Sequence, residues 1–323
     1  MRVREFPRTG WAISEIGYGM WGMGGWTGSD DEESGRALDR AVECGCNFFD
    51  TAWAYGDGHS ERLLGALLRR HPGRRLFAAT KVPPKNRRWP ASPGTSSDDV
   101  FPYGHIVDYT RASLENLGTA SIDLQQLHVW DDSWVAADGW RRAIEELKRD
   151  GLVQAFGISV NRWQPANVLR ALDTGLVDCV QVVYNIFDQA PEDALFPACE
   201  RLGVAVIARV PFDEGSLTGT LTPDARWPDG DWRNIYFGGG HLDATLRRVD
   251  SLRPVAADAG MTLPDLALRF ILAHPAVTTT IPGMRRLAHV DANVAAGSAP
   301  PLAPGIVQAL RRHRWDRTLD DRP

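Results

Sequence analysis

Short apolar runs alternate along the chain with longer runs whose apolar positions recur every three to four residues, from about Ile16 onward. The short runs read as strands: Ile16–Met20, Asn47–Asp50, Leu76–Lys81, Ile122–His128, Val153–Ser159, Val177–Val183, Val204–Ala208 and Val277–Ile281. A helical period follows each one, over Asp31–Cys44, Ser60–Arg70, Ile106–Leu117, Ala136–Arg149, Gln164–Leu172, Ala190–Arg201, His241–Ala259 and Arg286–Ala296. Strand and helix in alternation predict a parallel sheet, and eight such units predict an α/β fold of the (β/α)8 TIM-barrel type. The competing architecture, a doubly wound open sheet, would set a glycine-rich turn directly between its first strand and first helix. Gly17-Tyr-Gly19-Met-Trp-Gly22-Met-Gly24-Gly25 is rich in glycine, but the residues after it, through Asp30, read as loop. Before the first strand, Val3–Phe6 and Trp11–Ser14 flank Arg8-Thr-Gly10 and predict an N-terminal hairpin that plugs one end of the barrel. Two long loops, Pro83–His105 and Pro211–Gly240, follow strands, which places them on the face where barrels bind their ligands. From Gly297 a tail leads to a last helix over Ile306–Arg314, and all of residues 1–323 is read as one domain.

Composition narrows the field. The chain has 323 residues, 43% hydrophobic, with 36 Lys+Arg against 41 Asp+Glu for a net charge of -5. Mild acidity gives no electrostatic reason to expect a nucleic-acid or membrane-surface partner. The N-terminal residues lack the apolar run of a signal peptide, and no stretch approaches the ~20 apolar residues of a membrane span. A cytoplasmic location is therefore the expectation. The four cysteines, at 44, 46, 179 and 199, are too scattered for a disulfide scaffold. Cys44-Gly-Cys46 also lacks the second pair of a zinc site, so reduced thiols and no metal are expected.

Catalytic groups of a barrel come from the C-terminal ends of its strands. Asp50, Lys81 and His128 end three successive predicted strands, and Tyr55 follows Asp50 by one short turn. Period-two alternation sets Phe48 with Asp50, Phe77 and Ala79 with Lys81, and Leu124 and Gln126 with His128, so that all three ends face the barrel mouth. Each residue alone has a structural explanation as a cap, a solvated amine, a strand-end hydrogen bonder or a packed ring. Together at adjacent strand ends they make a proton-donating device. A free phenol has a pKa of ~10, and a nearby ammonium lowers it. Asp50 would hold Lys81 charged, while His128 would hydrogen-bond an oxygen on which negative charge develops. Such a set suits carbonyl reduction, for which the hydride must come from a bound cofactor.

The stretch NFFDTAWAYGDGHSERLLG (Asn47–Gly65), with Thr80-Lys81 and Leu127-His128 at the next strand ends, resembles the aldo-keto reductase family. The resemblance continues through Gly157–Asn161, Val180–Asn185, Ala208–Gly219 and Ile281–Arg286, in order over nearly the whole chain. It implies an oxidoreductase that binds NADP, with NAD as the alternative, on a barrel without a Rossmann domain. Tyr55 is then the general acid, Lys81 and Asp50 its tuning pair, and His128 the group that orients the carbonyl. Ser159, Asn161 and Gln181 match the family's nicotinamide-carboxamide positions, and Arg209 stands where many relatives stack an aromatic ring on the nicotinamide. Met20, Trp21 and Asp50 border the same site. Pro211 and Phe212 lead into the loop that covers the pyrophosphate, whose expected backbone contacts are Gly215, Leu217 and Gly219. Gly283, Met284 and Arg285 match positions around the adenosine 2′-phosphate, at a helix N-terminus that favours anions. His289 and Asn293 face the adenosine, but relatives often carry glutamine at the position of His289 and glutamate at that of Ala292.

The expected substrate is a small-molecule carbonyl or alcohol, aromatic or sugar-like, because several of the twelve tryptophans fall on the predicted mouth loops. Trp21, Trp53, Trp89 and Trp130 are the predicted substrate contacts, with Tyr55 and His128. A second reading is a nicotinamide-nucleotide-binding redox sensor or regulatory subunit with little turnover, which would need the nucleotide site but not the four catalytic groups.

Overall fold

The computed structural model describes residues 1–25 and 28–317. Trp26 and Thr27, within the predicted loop through Asp30, and the last six residues lie outside the described residues. The chain opens on a hairpin, β1 (Val3–Phe6) and β2 (Trp11–Ser14). The parallel strands are β3 (Tyr18–Gly19), β4 (Phe48–Asp50), β5 (Phe77–Val82), β6 (Ile122–Leu127), β7 (Val153–Ser159), β8 (Cys179–Val183), β9 (Ala205–Arg209) and β10 (Val277–Thr280). Each pairs with the next in sequence. Bridges from Ile16 to Thr280 and from Gly19 to Gly283 join the last strand to the first and close the ring, as the alternation predicts for a (β/α)8 barrel.

Helices cover the outside: α1 (Asp31–Glu43), α2 (His59–Arg70), α3 (Ser97–Val100), α4 (Tyr103–Leu117), α5 (Asp138–Arg149), α6 (Leu169–Leu172), α7 (Leu195–Leu202), α8 (Trp232–Tyr236), α9 (His241–Asp258), α10 (Leu263–Leu272), α11 (Leu287–Ser298) and α12 (Pro304–Arg311). The capping chemistry sits where the sequence puts it. The Asp30 carboxylate accepts from the Glu33 amide at the start of α1, and Gly118 ends α4 in the left-handed region.

Three differences from the sequence reading have physical causes. Helix α10 has no counterpart in the predicted elements. It is a second helix that follows α9 with no strand between them, so a reading built on one helix after each strand has no place for it. The predicted helix Gln164–Leu172 shrinks to the single turn of α6, because residues before it form turns that close on Asn161 and Gln164. The long loops also contain the short helices α3 and α8.

The lumen is layered. Phe48, Phe77, Leu124, Ala155, Cys179, Ala205 and Ile207 fill its lower part, and Phe6 and Ile13 of the hairpin pack into the same cluster, so the hairpin is the plug expected of it. One residue pair higher on the same strand faces the side chains become polar, which sets the chemistry at the C-terminal mouth. The four cysteines are free thiols; Cys46, Cys179 and Cys199 are buried and Cys44 is partly exposed. No described helix is long and apolar enough to cross a membrane.

Candidate active site

Strand register decides which side chains meet. Asp50 pairs with Ala79, Lys81 with Gln126, and Ser159 with Gln181. Asp50, Lys81, Gln126 and Gln181 therefore point into the upper lumen from neighbouring staves, and all four are buried. Lys81 Nζ donates to Asp50 Oδ1 at 2.5 Å and to the Thr51 carbonyl at 2.8 Å. The other carboxylate oxygen accepts from Gln181 Nε2 at 2.8 Å and Gln126 Nε2 at 3.2 Å. A buried ion pair is retained only when its remaining lone pairs are satisfied, and here the two amides satisfy them. Gln126 belongs to this network although no site role is predicted for it; its signal is that it shares a strand face with His128.

Tyr55 reaches the pair from the loop between β4 and α2. That loop is held by short-range bonds: Tyr55 N to the Ala52 carbonyl at 3.0 Å, Gly58 N to the Trp53 carbonyl at 2.7 Å, and the Thr51 hydroxyl to that of Ser60 at 2.8 Å. A second segment braces it. A Cβ on Gly24 would stand 2.8 Å from the Tyr55 carbonyl carbon, and one on Gly56 would stand 2.8 Å from the Gly24 oxygen. The glycine-rich stretch thus serves backbone-to-backbone packing against the loop that carries Tyr55. Gly24→Ala is expected to cost about 1–3 kcal/mol in stability from this overpacking and to lower kcat by up to ~10²-fold through displacement of the phenol. Thermal melts and steady-state rates check both, and a native kcat would overturn the bracing role.

The Lys81 ammonium lies 5.2 Å from the centre of the Tyr55 ring, and the rings of Tyr55 and His128 meet edge to face at 5.7 Å. Burial pushes the Tyr55 phenol above its ordinary pKa, with Lys81 and Arg209 pulling it down and Asp50 pushing it up. The downward pull expected from the ammonium is present, but desolvation outweighs it in the net shift, so the phenol holds its proton at neutral pH. His128 moves the other way. Burial, then the charges of Lys81 and Arg209, hold its imidazole well below the usual value, so the ring is neutral. Its Nδ1 is buried without a hydrogen-bond partner among the described residues.

Beside Tyr55 a cleft opens with a volume of about 330 Å³. Trp21, Gly24, Gly25, Ala54, Tyr55 and Gly56 form one wall, and Pro228–Asp231 from the loop after β9 form the other. Trp89, 43% exposed, stands edge-on to His128 at 5.6 Å. Trp53 packs on Tyr109 at 4.7 Å with the Arg87 guanidinium 5.1 Å from its ring. Trp130 is not in the cleft wall. It is 1% exposed, stacks edge to face with Trp134 and Trp140, and donates its indole N–H to Asp132, so its size is spent on packing. The second wall comes from the long loop 211–240 that the sequence places on the ligand face; which of its residues line the cleft is not encoded in any periodicity.

The predicted nucleotide residues lie along one rim of the barrel. Ser159 ends β7, Asn161 follows it and Gln181 lies within β8, all three buried, and the Asn161 side-chain carbonyl accepts from the Trp163 amide, which turns its NH2 group outward from that bond. Met20, Leu217, Met284 and Asn293 are buried, whereas Gly283 and His289 are exposed. Arg209 Nη2 donates to the Val160 carbonyl at 3.0 Å, and its Nε is buried without a partner among the described residues. Arg285 packs beside Gly22, and its Nη1 is likewise buried and unpartnered. These two guanidinium nitrogens are donors with capacity left for an anionic or carbonyl-bearing group. The amides of Gly215 and Leu217 both donate to the Phe212 carbonyl, and that of Gly219 to Ser216. These N–H groups are committed to the loop's own turns rather than presented to a ligand.

Comparison with known proteins agrees with this geometry. The family model described as "Aldo/keto reductase family" matches residues 15–314. The chain belongs to the aldo/keto reductase family. It is similar to the uncharacterized oxidoreductase YqkF of Bacillus subtilis (strain 168), with 30% identity over 97% of this chain and 96% of that protein. It is 29% identical to the NADH-specific methylglyoxal reductase of Escherichia coli (strain K12), over 88% of this chain and 90% of that one. Among solved structures, the holo form of the aldo-keto reductase AKR11C1 from Bacillus halodurans superposes with a TM-score of 0.79, 26% identity and full coverage of both chains. An aldo/keto reductase is an oxidoreductase acting on carbonyls.

Proposed function

We propose that the protein reduces an aldehyde or ketone to its alcohol, with NADPH as the hydride source and Tyr55 as the general acid. The observation that carries this reading is the buried ion pair of Asp50 and Lys81, next to a protonated phenol that faces a neutral imidazole. When bound, a reduced nicotinamide supplies a hydride to the carbonyl carbon. This chain's residues do the rest. A neutral His128 donates one N–H to the carbonyl oxygen and orients it beside the phenol. Tyr55 gives up its proton as charge gathers on that oxygen. Lys81, held charged by Asp50, stabilises the phenolate left behind, and the buried setting strengthens that interaction. Ser159, Asn161 and Gln181 would hold the carboxamide, Arg209 would lie against the ring, and the segment 211–219 would cover the pyrophosphate. With the amides of Gly215, Leu217 and Gly219 committed to the loop's own turns, the segment would act as a cover over the pyrophosphate and not as a row of amide donors.

Trp21 and the glycine backbone of the cleft, with Trp89 edge-on to His128, suit an uncharged aromatic or sugar-like carbonyl. Absorbance of the nicotinamide, followed with a panel of aromatic, aliphatic and sugar carbonyls, tests the reading, which no turnover with any member would sink. The unpartnered Arg285 Nη1 supports recognition of a 2′-phosphate. Arg285→Ala is therefore expected to weaken NADPH binding by about tenfold or more and to leave NADH nearly unaffected. Equal losses for the two nucleotides would remove the preference for NADP.

A further inference from the structure

We propose that Arg317 is a positioning residue for the nucleotide-covering segment 211–219: it neutralises carboxylates buried in and beside that loop and thereby sets the affinity for the dinucleotide. The inference rests on the reading that this loop covers a pyrophosphate.

The segment after α12 returns to the barrel mouth by defined contacts. Arg314 makes a two-pronged bridge to Asp193 at 2.6 and 2.5 Å, and the Trp315 amide donates to the Phe187 carbonyl at 2.8 Å. The Trp315 ring lies 5.0 Å from that of His241. These contacts deliver the Arg317 side chain, 1% exposed, into the interior. There it donates to Asp213 Oδ1 at 2.9 Å and also to Asp188 and to the Tyr236 hydroxyl. Arg162, the residue after Asn161, reaches the same groups: Asp213 at 2.6 Å, Asp188 at 2.8 Å and Glu214 at 3.3 Å.

Two guanidinium groups thus face three carboxylates, two of which belong to the loop itself. The loop also carries backbone strain, with φ of 47° at Asp213 and 56° at Glu214, and such conformations persist only where surrounding contacts impose them. The ion pairs are what impose them here. Without Arg317, one guanidinium would serve three carboxylates, and a buried charge left without a partner is strongly unfavourable. The loop would move toward water, and its excess negative charge would repel the phosphates it is to cover. Arg317 makes no contact with Tyr55 or His128, so its effect belongs in nucleotide binding and not in the chemical step.

The test is titration of the full-length protein with NADPH, read by quenching of tryptophan fluorescence, together with kcat at saturating nucleotide. Arg317→Gln keeps a hydrogen-bond donor and removes the charge; it is expected to raise the NADPH Kd by about tenfold or more, with kcat at saturation within about twofold. Arg317→Lys, which restores the charge, is expected to recover part of that affinity. Should Arg317→Gln be unfolded by circular dichroism, the charge-balanced Arg317→Gln/Asp213→Asn protein decides. Recovered fold and near-native affinity support the proposal; an unfolded or weakly binding double variant overturns it. Wild-type affinity in a folded Arg317→Gln protein overturns it as well. A wild-type protein that binds neither NADPH nor NADH would instead defeat the nucleotide reading on which the proposal stands.

Discussion

Tyr55→Phe is expected to lower kcat by about 10²–10⁴-fold while leaving nucleotide affinity and stability close to native. The substitution removes one oxygen and keeps the ring that meets His128 edge to face and lies over Lys81 Nζ. The loss therefore isolates proton donation from packing. Burial holds the proton on the phenol at rest, and in the proposed reaction the ammonium, 2.5 Å from Asp50, would stabilise the charge created when that proton leaves. A general acid of this kind contributes through the difference between its two states, so raising its resting pKa does not disqualify it. Single-turnover rates with a carbonyl that the wild type reduces give the cleanest measurement. An unchanged rate would strip Tyr55 of its role and return the search to His128.

Lys81→Met is expected to be the most damaging single change in the barrel. Methionine fills much the same volume, but it leaves the Asp50 carboxylate buried with only the Gln126 and Gln181 amides for support. Breaking a buried pair in this way costs about 3–5 kcal/mol, and activity is expected to fall at least as far as in Tyr55→Phe. Adding Asp50→Asn removes the stranded charge, so the double variant should recover more than half of the lost stability in urea melts. Activity should not return with it, since no ammonium then faces the phenol. Single and double variants of equal stability would show that the pair is not electrostatically coupled.

The same network explains why the site was legible in part. Asp50, Lys81 and His128 each end a strand, and period-two alternation places them on the inward face; both properties are local and can be read from the sequence. Gln126 shares that face, yet its contact with Asp50 depends on the stagger between staves, which sequence spacing does not encode. Trp130 shows the opposite failure: it follows a strand end closely enough to read as a cleft residue, but Trp134 and Trp140 converge on it from later segments and enclose it. Helix α10 carries its start signals, Thr262 and Pro264, in the sequence, but it follows α9 without an intervening strand and so falls outside the strand-helix alternation.

By itself the sequence determined the number and order of strand-helix units, the plugging hairpin, the strand ends that carry the reactive groups and, through its motifs, the family. Periodicity and end chemistry act between residues a few positions apart, so a linear reading captures them. Only the tertiary structure decided the net direction of the Tyr55 shift, the bracing of its loop by Gly24, which residues of the loop 211–240 wall the cleft, and the meeting of Arg162 and Arg317 at Asp188. Each of these depends on desolvation or on contact between segments far apart in the chain, and both come into existence when the barrel closes.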